Sequence, residues 1–326
     1  MMKTLVTRGF VTTFVIGALA ACGSAGTDTA NGEDTAATGE AIVDGVHVQW
    51  GSQAHQLPFQ DTSSPVATAP KAAATTAHLS YFGGPVISSV HVVKVEYGAT
   101  GTYQSFVTGT GAGTLASFYT GVTNSAYFDW LKEYNTPTQT IGRGTYGGDF
   151  KITPASSRNK ATISDANIQA ELNAQITAGH IPAPTANTLY SVHFPRGKHI
   201  SQGGSRSCVA GGFCAYHGTF VRNGANVYYS VLPDMSAGSG CDTGCGGGTP
   251  FGNQTSVASH EMIEAVTDAA VGLATVVGPP LAWYDSANGE IGDICNGQQG
   301  TVVGGDGATY TIQKEWSNSR NACVAQ

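Results

Sequence analysis

No lysine or arginine occurs in the 91 residues from Asn223 to Gln313, yet that window holds nine carboxylates. Six of them fall in three short runs: Glu261, Glu264 and Asp268, then Asp285, then Glu290 and Asp293. A fold that brings several of these acids into its interior must relieve their repulsion and desolvation with protons, hydrogen bonds or a bound cation. A divalent ion does so with the fewest groups. The formal net charge is −7, so the rest of the chain carries a small positive excess, and no basic face for nucleic acid emerges.

The N-terminus sets the compartment. Lys3 and Arg8 precede or flank an apolar stretch from Gly9 to Ala21 that is too short to span a bilayer, the pattern of a secretory signal over residues 1–22. Its end, Leu19-Ala20-Ala21-Cys22, resembles the lipobox of bacterial lipoproteins. That resemblance implies cleavage before Cys22, lipid on its sulfur and a mature protein anchored in the cell envelope. An ordinary signal cleaved nearby is the alternative. Gly23 after the cysteine would favour the outer membrane in a Gram-negative host.

Residues 23–77 are dominated by Ala, Thr, Gly and Ser and read as a tether, interrupted by Ile42–Trp50, a weakly alternating patch suited to a strand or a docking segment. Residues 78–326 then form a single domain. With Cys22 assigned to the anchor, six cysteines remain, at 208, 214, 241, 245, 295 and 323, an even number in an oxidising compartment. Three disulfides are expected, and nearness in sequence suggests Cys208 with Cys214, Cys241 with Cys245, and Cys295 with Cys323. The rival, a zinc site made of Cys208, Cys214, Cys241 and Cys245, has spacings that suit structural zinc poorly.

Val90–Tyr97 is rich in β-branched residues and predicts a strand. Apolar positions from Leu115 to Tyr134 recur with helical spacing, broken near Thr123-Asn124. Thr145–Thr153 predicts another strand. Ser164-Asp165 can cap a helix through Ile168, Leu172 and Ile176 that Gly179 would end, and strands follow at Leu189–Phe194 and Val227–Leu232. Strands separated by helices predict an α/β layered domain: a mixed sheet flanked by helices, loop-rich and stapled by disulfides.

Thr255 or Ser256 can cap a helix running from Val257 to Asp268. On it His260 and Glu264 project from one face, about 6 Å apart along the axis, so both can reach one ion. Glu261 lies a quarter-turn round. This is the layout of the His-Glu-x-x-His zinc helix, in which two imidazoles hold zinc and the Glu polarises water, with Glu264 here replacing the second His. Glu264 and Asp268 sit in the last turns, where the helix dipole disfavours negative charge, so something else must stabilise them. A third ligand is expected from Glu290 or Asp293, the former favoured, by analogy with the downstream Glu of thermolysin-like enzymes. His217 in Cys214-Ala215-Tyr216-His217-Gly218 is a further candidate, as a ligand or as a catalytic donor.

Together, Tyr81–Val86 followed by Val95-Glu96-Tyr97-Gly98, then Cys214–Gly218, Cys241 and Cys245, His260-Glu261 with Glu264, Trp283-Tyr284, and Glu290–Cys295 resemble the EXORDIUM, or phosphate-induced protein 1, family. The motifs run in the same order from about Ser80 to Cys323. The resemblance implies secretion, disulfides and a shared site, and it supplies no established reaction. Unlike plant members, this chain has five residues between Cys208 and Cys214 and carries a lipobox.

Two functions compete. One is a zincin-like metallopeptidase that takes a peptide or an envelope polymer as substrate, with His260, Glu264 and Glu290 or Asp293 holding Zn2+ and Glu261 deprotonating the attacking water. The other is a non-catalytic binding protein whose Glu264, Asp268, Asp285, Glu290 and Asp293 hold Ca2+, which prefers an all-oxygen shell.

Overall fold

A computed structural model describes residues 39–43, 46–50, 56–59 and 77–326. The expected signal sequence, the anchor at Cys22 and most of the segment read as tether lie outside these described residues. Within that segment, β1 (Gly39–Val43), β2 (Val46–Trp50) and β3 (Gln56–Pro58) are strands. They extend the main sheet, β1 through β2 and both β2 and β3 against β7 (Phe213–Arg222).

The rest of that sheet is mixed. β4 (His91–Tyr97) lies between β5 (Thr145–Ile152) and β6 (Thr188–His193), parallel to both, and β8 (Ala225–Leu232) runs parallel to β6 and antiparallel to β7. The order is β1-β2-β7-β8-β6-β4-β5. Alternation along β4 sends Val93, Val95 and Tyr97 into one core, where α2 (Asp165–Thr177) packs Ile168, Leu172 and Ile176. Val92 points to the other face, beneath α1 (Leu115–Thr123) and α3 (Pro250–Thr267). Helices on both faces of a mixed sheet give the predicted α/β layers.

Helix starts follow local chemistry. Thr114 and Ser117 form a reciprocal capping box on α1, and Ser164 accepts from Asn167 N at the start of α2. Gly179 follows α2 with φ +72°, a conformation that favours glycine. The helix of the acidic cluster begins earlier than Thr255 or Ser256 suggested. Thr249 accepts from Gly252 N and Pro250 occupies the first position, a ring whose fixed φ suits a helix start and whose missing N–H needs no partner. Among the described residues no helix is long and apolar enough to cross a membrane.

Two of the three expected disulfide pairings are corrected. Cysteines bridge as Cys208–Cys241, Cys214–Cys245 and Cys295–Cys323. The turn at Cys241–Thr243 lies flat against the segment leading into β7, so close that a side chain on Gly240 would come within 2.5 Å of the Cys208 carbonyl oxygen. Two segments running side by side cross-link to each other rather than within themselves. The same bridges remove the four-cysteine zinc alternative.

A row of polar residues crosses the face beneath α1 and α3. Register aligns His217 with Ser230, Ser230 with Ser191, Ser191 with Lys94, and Lys94 with Asp149. Lys94 is 0% exposed; its Nζ meets Glu96 Oε1 at 3.2 Å and Asp149 Oδ1 at 2.7 Å and also bonds the Val107 carbonyl. Ser191 and His193 share the hydroxyl of Tyr119, at 2.5 and 3.0 Å. At its far end this row meets the acidic helix.

Candidate metal centre

Interior helices are normally apolar all round. α3 is not: His260, Glu261 and Glu264 are each 0% exposed, as is His217 on the facing strand β7. Three further elements close the site. The turn after Tyr284 brings Glu290 and Asp293. The hairpin of β9 (Gln299–Val303) and β10 (Thr309–Gln313) packs on α3, and β11 (Glu315–Ser317), which pairs with β12 (Ala322–Val324), adds Glu315. The Cys295–Cys323 bridge ties that turn to β12.

The side chains sort into two donor groups that share one carboxylate. His217, Glu264 and Glu290 offer ligand atoms within 4.8 Å of one another and are all buried; His260, Glu264 and Asp293 form the second group. His217 Nδ1 lies 3.5 Å from both Glu261 Oε2 and Glu264 Oε2, and its Nε2 lies 3.4 Å from Glu290 Oε1. His260 Nε2 sits 3.1 Å from Glu264 Oε2, and its Nδ1 faces the Gln313 amide at 2.6 Å. Of the expected metal residues, Glu264 and Glu290 fall in the first group, and His260, Glu264 and Asp293 in the second. His217, expected as a ligand or a catalytic donor, belongs to the first.

What these atoms lack is informative. Among the described residues, both nitrogens of His217, both oxygens of Glu261, and Glu264 Oε2 are buried without a hydrogen-bond partner. Buried polar groups are almost always satisfied, and an orphaned ionised one is costly. Nitrogen and carboxylate donors gathered within 4.8 Å of one another could hold a metal cation.

Asp268 and Asp285, expected in the oxygen-only set for calcium, stand in neither donor group. Asp268 Oδ1 accepts Ala282 N at 2.7 Å. Asp285 caps a turn, taking His78 N at 2.7 Å through Oδ2, and Ala287 N at 2.8 Å and Asn288 N at 3.0 Å through Oδ1.

Backbone groups hold the acids in place. Asp293 N donates to Glu264 Oε1 at 3.1 Å, and Asp293 Oδ2 accepts Glu290 N at 3.0 Å. Gln313 Nε2 also donates to Gly292 O at 2.9 Å. Gly292 itself admits no side chain, since a Cβ there would lie 2.5 Å from His260 Nδ1 and 2.8 Å from Glu264 Oε1.

Two participants were not anticipated from sequence, Gln313 and Glu315. Glu315 is 0% exposed, and burial pushes its carboxyl well up. The Tyr127 hydroxyl has one proton and two acceptor neighbours, Gln313 O at 2.7 Å and Glu315 Oε1 at 2.9 Å; a neutral Glu315 supplies the missing proton. Their signal in the sequence was the alternation Gln313-Lys314-Glu315, which turns two polar side chains inward.

The electrostatics of the protein groups point the same way. Burial, with the neighbouring Glu264 charge adding to it, pushes Glu261 up to about 7 against the pull of His217 and His260. Burial opposes charge on His217 as well, but Glu290, Glu261 and Glu264 outweigh it and raise that ring well above its ordinary value; Glu264 and Glu261 do the same for His260. The same imidazoles hold Glu264 down near 2 against its burial.

The sign for stability follows. Raised groups, His217, His260, Glu261 and Glu315, contribute stability that is complete below their unfolded values and is lost as pH rises. The depressed Glu264 contributes stability that is present above its unfolded value and is lost only as pH falls toward about 2. Chelated protein is therefore expected to lose thermal stability between about pH 5 and 8, while metal-loaded protein, whose cation replaces those protons, is not. Parallel melting curves check this, and superimposable pH profiles would contradict it.

Searches of protein families, of curated proteins and of solved structures found no match to this chain.

Proposed function

We propose that this chain is an exported metal-dependent hydrolase of the zinc peptidase kind. The observation that carries the proposal is the buried His217–Glu264–Glu290 group, with the orphaned carboxylate of Glu261 beside it and no basic side chain in the surrounding window. In this reading His217, Glu264 and Glu290 hold the ion, with His260 and Asp293 as a second donor set on the shared Glu264. Zinc would supply Lewis acidity at that point. Glu261, lifted by burial into the neutral range, is suited to take a proton from water and return it to a leaving group. The substrate class is a peptide or an envelope polymer.

Three disulfides support life outside the cytoplasm. A lipid anchor at Cys22 and membership of the EXORDIUM-like proteins complete the proposal, the latter resting on the order of the motifs alone. Elemental analysis of the protein purified without added metal, paired with Glu261→Gln, tests it. Stoichiometric zinc in both proteins, with hydrolysis of a peptide library reduced at least about 100-fold in the variant, is the expected result. Equal hydrolysis by the variant, or protein that binds no zinc, would sink it.

A further inference from the structure

The edge of β7 beside the metal centre already carries an extended segment. Gln56 pairs with Tyr216, Leu57 with Ala215 and Pro58 with Phe213, all antiparallel, and Phe59 N donates to Gly212 O at 3.0 Å. Gln56 Nε2 adds a bond to the Gln202 carbonyl at 2.9 Å. Ala215 and His217 lie two apart on one strand and so share a face. Leu57, opposite Ala215, enters the core beneath α3 and is 4% exposed.

Around this segment the protein is hollow. A cavity of about 70 Å³ is lined by Leu57, Pro58, Cys214, Ser256, Val257 and Gln313, the last in contact with His260. Pro58 and Gln56 also wall a cleft of about 360 Å³ whose other side is Tyr284 and Asp293. Strand β3 thus lines two hollows whose walls also include Gln313 and Asp293.

We infer that the edge of β7 is a binding site for an extended peptide with an aliphatic side chain, and that residues Gln56–Phe59 occupy it in cis. Recognition by strand addition uses backbone hydrogen bonds for affinity and alternate side chains for selection, which here is the Leu57 slot between Cys214, Ser256 and Val257. Tethering gives the cis segment an effective concentration in the millimolar range, so it excludes weaker peptides until it is displaced. Proline is tolerated at such a position because an outer strand need not donate from every residue. The inference rests on the peptidase reading, for which it names the substrate's conformation and a restraint on access.

The test uses the full chain and a fluorescent peptide with the sequence of residues 54–60, alongside the same peptide with Asp in place of leucine. Leu57→Asp should release the strand and raise affinity for the leucine peptide at least tenfold over the unaltered protein, with no gain for the Asp peptide. A folded variant that gains nothing, or that gains equally for both peptides, overturns the inference. Hydrogen exchange on the unaltered chain decides independently of that variant's folding. Amides of Gln56, Leu57 and Phe59 should exchange at least tenfold faster than those of Val227–Val231, and exchange as slow as in those residues would mean that the strand leaves only on global unfolding, which also overturns it. Zinc content measured on the same samples separates the two readings, since peptide capture without zinc removes only the metal and zinc without capture removes only the strand site.

Discussion

Glu264→Gln is expected to abolish stoichiometric metal binding, with affinity lowered about 100- to 1,000-fold. Structural zinc contributes roughly 10–16 kcal/mol of apparent binding free energy through four ligands near neutral pH, so one ligand carries about 3 kcal/mol. Glu264 is the residue common to both donor groups, so its loss weakens each at once. Glu290→Gln removes a donor from the His217 group alone, and Asp293→Asn from the His260 group alone. Competition titration against a chelator of known affinity, run on all three variants, should therefore rank Glu264→Gln as the most severe. An unfilled site also withdraws the stabilisation that a bound ligand gives to the folded state, so the melting temperature of Glu264→Gln should no longer respond to added metal. Retention of metal at parental affinity in Glu264→Gln would show that the buried group is a proton-sharing network and nothing more.

How much of this centre could be read from sequence depended on how local each signal was. His260, Glu261 and Glu264 were legible because helical periodicity fixes their relative positions within two turns, wherever the helix lies. Glu290 and Asp293 were legible as a short acidic motif, and their convergence on Glu264 runs through one backbone bond, Asp293 N to Glu264 Oε1. His217 was visible as a candidate, but its strand was not, since Phe213–Arg222 is a ten-residue run with nearly every position buried and so lacks alternation. The disulfides failed where nearness in sequence was used in place of nearness in space. Cys208 and Cys214 lie on one segment, Cys241 and Cys245 on another, and only the docking of the two chooses partners. Within the segment read as tether, the alternation of Ile42–Trp50 had marked a strand or docking segment, whereas Gln56–Pro58 offered a single apolar residue, Leu57, too short a pattern to read.

Lys94→Met is expected to destabilise the fold by about 3–5 kcal/mol, the usual result of removing one partner from a buried ion pair and leaving its counter-charge stranded. Lys94 and Glu96 occupy alternate positions of β4, between β5 and β6, at 0% and 1% exposure, and the register that aligns Lys94 with Ser191, Ser230 and His217 puts both on the face with His217 rather than toward solvent. Without the ammonium, the cation left to Glu96 among the described residues is the exposed Lys151 Nζ at 3.5 Å, and Asp149 loses its 2.7 Å ion partner while keeping the Tyr146 hydroxyl. Neither acid can then stay ionised in place without cost. The companion variant Lys94→Met/Glu96→Gln separates stranded charge from lost packing, because it removes both charges of one pair while keeping side-chain volume. It should recover at least half of the loss in urea unfolding at constant m-value. A single variant that loses less than about 1 kcal/mol would mean that water or rearrangement relieves the acids, and that the row from His217 to Asp149 is not the rigid floor on which the metal centre stands.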